Sequence, residues 1–153
     1  MGAPKGLVLD LGCNNGEGMA ALRARWPDAE LLGLEPHKAL AAQARQRGFT
    51  VDTSSAEDIA FPGGRFDLVL SRHSLEHIPN RAKACAEIAR VLKSGGKVYV
   101  QAPIEPNGSK NKLHVSAFRT VDEVRGLFPG FVELYWAAQE TVVELIAEKP
   151  RGA

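Results

Sequence analysis

The sequence predicts a doubly wound α/β domain, a mainly parallel seven-stranded sheet with helices on both faces and an antiparallel hairpin at its C-terminal end. Three observations carry this. Short apolar runs alternate with stretches whose apolar residues recur at helical spacing, the pattern of strand–helix–strand crossovers. Near the C-terminus the alternation gives way to two runs, 131–136 and 141–148, joined by about four residues, which is the spacing of a hairpin. A length of 153 residues suits a single domain covering 1–153, a minimal core without a substrate cap domain.

The first strand is read from residues 7–11, an apolar run carrying Asp10 that turns through Gly12, Gly16 and Gly18. Glycines lack the Cβ that obstructs close approach of a ligand. A helix follows over about 15–26, with Met19, Leu22 and Trp26 at helical spacing and Pro27 as its stop, so free backbone N–H groups are expected to point at whatever sits above the loop. Residues 29–34 are a second strand, ending at Glu35-Pro36. Leu40, Ala41 and Ala44 mark the next helix, closed by Gly48 at its C′ position.

Residues 49–52 supply a short third strand, 54–62 a connection too short for a full helix, and 66–70 the fourth strand. Asn80 is a good N-cap for a helix carrying Ala84, Cys85, Ile88 and Leu92 on one face and ending at 93–96. Residues 97–102 form the fifth strand, and the Gly, Asn, Ser and Pro content of 103–112 makes that segment the longest loop. Val121, Val124, Leu127 and Phe128 predict a last short helix before the hairpin. In a parallel sheet of this kind ligands bind beyond the carboxyl ends of the strands, near the switch in strand order. The stretches 10–16, 35–36, 54–59, 71–77 and 103–114 all lie at such ends, so they converge on one crevice.

Composition narrows the function classes. Lys+Arg 19 against Asp+Glu 18 gives a formal charge of +1, which offers no global signal for nucleic acid or an anionic membrane. The two cysteines, Cys13 and Cys85, form no CxxC and indicate neither a zinc site nor a disulfide framework, so no metal ligands are assigned and a reducing, cytoplasmic setting is expected. No apolar run reaches the roughly 18 residues of a membrane span, and no leader segment is expected.

Five stretches in order then carry a resemblance: Val8-Leu9-Asp10-Leu11-Gly12-Cys13-x-x-Gly16; Glu35 after the second strand; Ala56 to Pro62 with Arg65 to Val69; Phe66 to Ser71 with Leu75-Glu76-His77-Ile78; and Arg90 to Gly96. The chain resembles the class I S-adenosylmethionine-dependent methyltransferases, particularly the type-11 group, over nearly its whole length. That resemblance implies a Rossmann-like fold, S-adenosylmethionine as cofactor, S-adenosylhomocysteine as product, and in-line transfer of a methyl group to an unidentified O, N or C acceptor. It implies a cofactor site of Asp10, Gly12, Cys13, Asn14, Gly16, Glu35, Pro36, Ser55, Ala56, Glu57, Ser71, Arg72 and His73.

Within that set, Glu35 is placed to accept from both ribose hydroxyls. The backbone at Ala56 and Glu57 would read the adenine edge, with Leu34 or Ile59 against its ring, and Ser71 and Arg72 would border the methionine moiety. Two residues depart from the family pattern. Asn14 replaces a usual glycine but tolerates positive φ better than other residues with a Cβ. Ser55 replaces a common Asp at the adenine amino group, a role that Asp58 can also take.

A general base is needed only for a hydroxyl or protonated-amine acceptor, and the candidates are His73, His77 and His114, with Glu76 beside them. The acceptor is read as a small molecule or a lipid- or sugar-linked group, with a macromolecule also open, because only 103–112 is available as a lid. A homodimer or a partner subunit completing the pocket fits the same observation. Two other classes fit the sequence: a cofactor-binding partner subunit without catalysis, and an NAD-binding oxidoreductase, which needs glycine where Asn14 stands.

Overall fold

The computed structural model describes residues 2–152. In chain order the elements are β1 (Gly6–Leu11), α1 (Glu17–Arg25), β2 (Ala29–Leu34), α2 (Lys38–Gln46), β3 (Thr50–Asp52) and β4 (Phe66–Arg72). A 3-10 turn (Leu75–His77), α3 (Arg81–Val91), β5 (Leu92–Pro103), α4 (Val121–Arg125), β6 (Val132–Gln139) and β7 (Val142–Glu148) complete the set. The strands form one seven-stranded sheet in the order β3-β2-β1-β4-β5-β7-β6. Strands β1 to β5 are mutually parallel, and β7 runs antiparallel between β5 and β6. The strand order reverses between β1 and β4, and there the carboxyl ends open a crevice.

Alternation along each strand divides the core between two faces. Val8, Leu68 and Leu70 point to the side where Leu22 of α1 packs, with Met19, Ala41 and Ala44 continuing that layer toward α2. Leu9, Leu11, Val69, Val98 and Val100 point to the other side, against Ala84, Cys85 and Ile88 of α3 and Val124 of α4. Helices thus cover both faces, as the binary pattern predicts. Among the described residues no helix is long and apolar enough to cross a membrane.

Several boundaries differ from the sequence reading, each for a tertiary reason. Helix α3 stops at Val91, and Leu92 pairs with Phe66 instead of closing the helix. Gly95 (φ +75°) then turns the chain back, and a Cβ on Gly96 would stand 2.8 Å from the Lys93 carbonyl and 3.0 Å from that of Phe66. Strand β4 continues to Arg72, because Ser71 pairs with Leu11 on one side and Val100 on the other. Ser71 and Arg72 therefore end the strand rather than follow it. Strand β6 reaches Gln139, so the hairpin turn is Glu140-Thr141 and not four residues, with Glu140 at φ +52°.

Candidate functional site

The first strand delivers its chain into a turn that only small or adaptable residues can make. Gly12 sits at φ +73°, and a Cβ there would meet Ser74 Oγ at 2.5 Å. Ser74 in turn donates to the Leu11 carbonyl at 2.8 Å, locking the ends of β1 and β4 together. Asn14 adopts φ +53°, the left-handed conformation its side chain tolerates. Its Oδ1 accepts from the Asn15 N–H at 2.7 Å.

The expected free N–H groups of this loop are not free. Gly12 and Cys13 both donate to the Leu34 carbonyl, at 2.7 and 3.1 Å, and Gly16 donates to the Cys13 carbonyl at 3.1 Å. Asn14 N–H donates to Glu35 Oε2 at 3.0 Å, and Glu17 N–H to Asn15 Oδ1 at 3.1 Å. Every N–H from Gly12 to Glu17 is consumed inside the chain, because the loop lies across the end of β2 and satisfies its own donors.

Glu35 is the charged floor of the crevice. It is buried, its Oε2 accepts from Asn14 and its Oε1 accepts from the His37 N–H at 3.0 Å. A carboxylate offers about four lone-pair directions, so each oxygen keeps one for a ligand hydroxyl. A cleft of about 650 Å³ opens above it, lined among others by Gly12, Asn14, Glu35, Pro36, Ser55, Ala56, Glu57, His73 and His77. The sequence reading missed His37 and Leu40, whose positions follow from α2 starting at the cleft: His37 caps it by accepting from the Leu40 N–H. Lys112, the last residue of the segment proposed as a lid, also lines the cleft, with Leu113 and Val115 just beyond it.

Other predicted residues stand behind this surface. Cys13 points into the core beside Met19, and burial, reinforced by Asp10 and Glu35, pushes its thiol up to about 12. Gly16 lies against Ala44 and Phe49, where a Cβ would come within 3.0 Å of Ala44. Ser71 is fully buried and its hydroxyl has no partner. Asp10 is 3% exposed and pairs with Arg72 at 2.9 Å. Burial nevertheless raises the Asp10 carboxyl, with Arg72 opposing. Ile59 is buried in the α3-side core, while Leu34 does line the cleft. The Ser55 hydroxyl accepts from Glu57 N–H at 3.1 Å, and Asp58 does not line the cleft.

The base candidates collect at one end. His73 (φ +50°) and His77 line the cleft, and Glu76 lies buried between them, 3.7 Å from His73 Nδ1 and 3.9 Å from His77 Nε2. His114 does not reach the cleft; its ring packs edge-on to His77, with centroids 4.8 Å apart.

The site thus combines a strand-order reversal, an acid at the end of β2 and a tight glycine turn after β1. A family model described as a methyltransferase domain matches residues 9–100, from the second half of β1 through β4 and most of β5. The chain belongs to that family. With it, the chain joins the class I S-adenosylmethionine-dependent methyltransferases, as the motif order implied. It is 30% identical over 128 residues to a trans-aconitate 2-methyltransferase of Deinococcus radiodurans, covering 84% of this chain and 50% of that protein. It is 32% identical over 143 residues to a malonyl-[acyl-carrier protein] O-methyltransferase of Herminiimonas arsenicoxydans, covering 94% and 51%. This methyltransferase domain therefore spans about half the length of those two curated relatives. Its fold matches a Haemonchus contortus phosphoethanolamine N-methyltransferase 2 solved in complex with S-adenosyl-L-methionine, with a TM-score of 0.82 at 16% identity, covering 95% of this chain and 49% of that one.

Proposed function

We propose that the chain binds S-adenosylmethionine in the Glu35 cleft and transfers its methyl group to an acceptor entering past His73 and His77. The observation that carries this reading is the buried Glu35 carboxylate, held by two backbone N–H groups on the floor of a 650 Å³ cleft. Its remaining lone pairs suit a ribose diol. The neighbouring loop supports the same reading by what it lacks. A pyrophosphate needs a row of unpaired N–H donors. Here those from Gly12 to Glu17 are taken, which disfavours a dinucleotide. A cationic ammonium asks for acceptors instead, which such a loop supplies as carbonyls.

When bound, S-adenosylmethionine supplies an electrophilic methyl group whose leaving group is a neutral thioether. Leu34 and Leu40 offer apolar surface to the adenine, and Ala56 and Glu57 border it. Positioning of this kind can supply a large part of a barrier reduction without a charged catalyst. His73, half-exposed at the end of β4, is the base we assign to an acceptor that must lose a proton. The acceptor is an O, N or C nucleophile on a small molecule or a carrier-linked group. The relatives' names, aconitate and malonyl-carrier methyltransferases, favour a carboxylate-bearing one.

Calorimetry with S-adenosylhomocysteine tests the cofactor reading. Two hydroxyl bonds to a charged acceptor are together worth about 3 kcal/mol or more, so Glu35→Ala is expected to weaken binding by about 100-fold or more. Unchanged affinity in that variant, or tighter binding of NAD than of S-adenosylhomocysteine by the wild-type chain, overturns it.

A further inference from the structure

Among the described residues, Glu76 is a buried acid, 1% exposed, with both carboxylate oxygens unpartnered. An unpaired buried carboxylate costs several kcal/mol, so something must compensate it. The chemistry of its neighbours shows what. His77 Nδ1 lies 2.9 Å from the Leu113 carbonyl, an atom that can only accept, so Nδ1 carries the proton. In the neutral ring Nε2 then presents a lone pair, and it stands 3.9 Å from Glu76 Oε1. Two acceptors facing one another beside a buried carboxylate repel unless a proton or a metal cation lies between them.

His114 completes the arrangement. Its Nδ1 is 2.8 Å from Glu105 Oε2 and 3.1 Å from Ser109 Oγ. The Ser109 hydroxyl donates to Glu105 Oε1 at 2.6 Å, so the carboxylate acts as the acceptor of this group and its Oε2 accepts from His114 Nδ1. Its Nε2 is left as a second lone pair beside His77. Donor atoms of Glu76, His77 and His114 all lie within 4.8 Å of one another. The cluster is also built from the backbone upward: Ser116 N–H donates to the Glu76 carbonyl at 3.0 Å, and Ser116 Oγ donates to those of Leu75 and Ile78, which pins the His114 segment onto the 3-10 turn.

We propose that Glu76, His77 and His114 bind a divalent first-row transition-metal ion at the acceptor end of the cleft. Two imidazoles and one carboxylate select zinc, cobalt or iron over magnesium or calcium, which prefer all-oxygen sites. The outer shell has the form such sites use: each ligating ring fixed through its other nitrogen, one by a backbone carbonyl and one by a carboxylate. Metal–nitrogen distances of about 2.0–2.1 Å require the three donor atoms to draw together around the ion. Three protein ligands on one side leave positions open. His77 lines the cleft, so those positions face an acceptor, and the ligand class they fit is one with two adjacent oxygens, a vicinal diol or a hydroxy acid. That use of the ion rests on the methyl-transfer reading; the metal site itself does not.

The test is titration of the chelator-stripped 153-residue chain with cobalt(II). One equivalent is expected to bind with visible ligand-field bands, and zinc is expected to displace it. His77→Ala and His114→Ala each weaken cobalt binding at least about tenfold, and Glu105→Gln weakens it about 10–100-fold through the His114 ring. Because Glu76→Gln risks failing to fold, the two histidines and Glu105 carry the decision. Glu105→Gln leaves S-adenosylhomocysteine affinity unchanged. Absence of a saturable cobalt band in the wild-type chain, or equal cobalt affinity in His114→Ala, overturns the proposal. Cobalt binding without S-adenosylhomocysteine binding overturns the cofactor reading alone.

Discussion

Replacing Arg72 with alanine is expected to destabilise the domain chiefly through Asp10, a residue 62 positions away in sequence. Asp10 is 3% exposed, and burial raises its carboxyl although Arg72 opposes that with both charge and a hydrogen bond. Removing the guanidinium leaves burial acting alone on a charged group. Breaking a buried pair in this way costs about 3–5 kcal/mol. Here the Arg72 side chain is 33% exposed and partly screened by water, so about 2–3 kcal/mol is expected. The pH dependence has a definite sign. A carboxyl whose folded pKa lies above its unfolded value of 3.8 contributes stability at low pH that is lost as pH rises through the folded value. Arg72→Ala raises that value further, so the penalty is largest near pH 7 and shrinks toward about pH 4. Urea unfolding of wild type, Arg72→Ala, Asp10→Asn and the double variant at both pH values measures it. The double variant should recover part of the loss, giving a coupling energy of at least about 1 kcal/mol. A penalty below about 0.5 kcal/mol at pH 7, or one equal at both pH values, refutes the argument.

Gly12→Ala places a Cβ 2.5 Å from Ser74 Oγ at φ +73°, and should cost about 2 kcal/mol, seen as a Tm lowered by roughly 4–8 °C. Burial pushes the Cys13 and Cys85 thiols up to about 12, so neither should react with a disulfide reagent at about pH 8 until denaturant is added, when both should. Glu87 is held below its usual value mainly by Arg90, and Asp67, despite its burial, by Lys93 and the Leu7 N–H. The stability they contribute is present above the unfolded values of 4.5 and 3.8 and should fall as pH drops through their lower folded values, a loss that Glu87→Gln and Asp67→Asn flatten in acid-unfolding curves.

The doubly wound sheet was legible because its evidence is local. Apolar runs such as 7–11 and 29–34 and the stop at Gly48 state strand, helix and end without reference to partners. Where the sequence misled, a partner decided. Leu92 fits the inner face of α3 by spacing but pairs with Phe66, and residues 137–139 look like a turn until Val142, Val143 and Glu144 of β7 extend the ladder beside them. The site divides the same way. Asn14, Glu35, Pro36 and the Ser55–Glu57 stretch sit at strand ends and line the cleft, as position alone implies. Ser71 and Arg72 fall inside the fourth strand, whose length is set by neighbours on both sides. The histidine cluster was invisible as a ligand set, since His114 meets Glu76 and His77 through tertiary hydrogen bonds made by Leu113 and Ser116.

The loop after β1 looks from sequence like an anion cradle, and its hydrogen bonds argue otherwise. A glycine turn recognises anions only while its N–H groups stay unpaired. The Leu34 carbonyl takes two of them and Glu35 a third, so the turn is spent on gripping the end of β2. That grip is what fixes the Glu35 carboxylate: Asn14 holds one oxygen and His37 the other, and the side chain cannot swing away from the cleft without losing both. The glycines therefore act on the ligand through an acid. Asn14→Pro, which deletes the N–H and opposes the left-handed φ, should weaken S-adenosylhomocysteine binding while Glu35 is still present. Calorimetry showing equal affinity in Asn14→Pro would mean that Glu35 is oriented by something other than this loop.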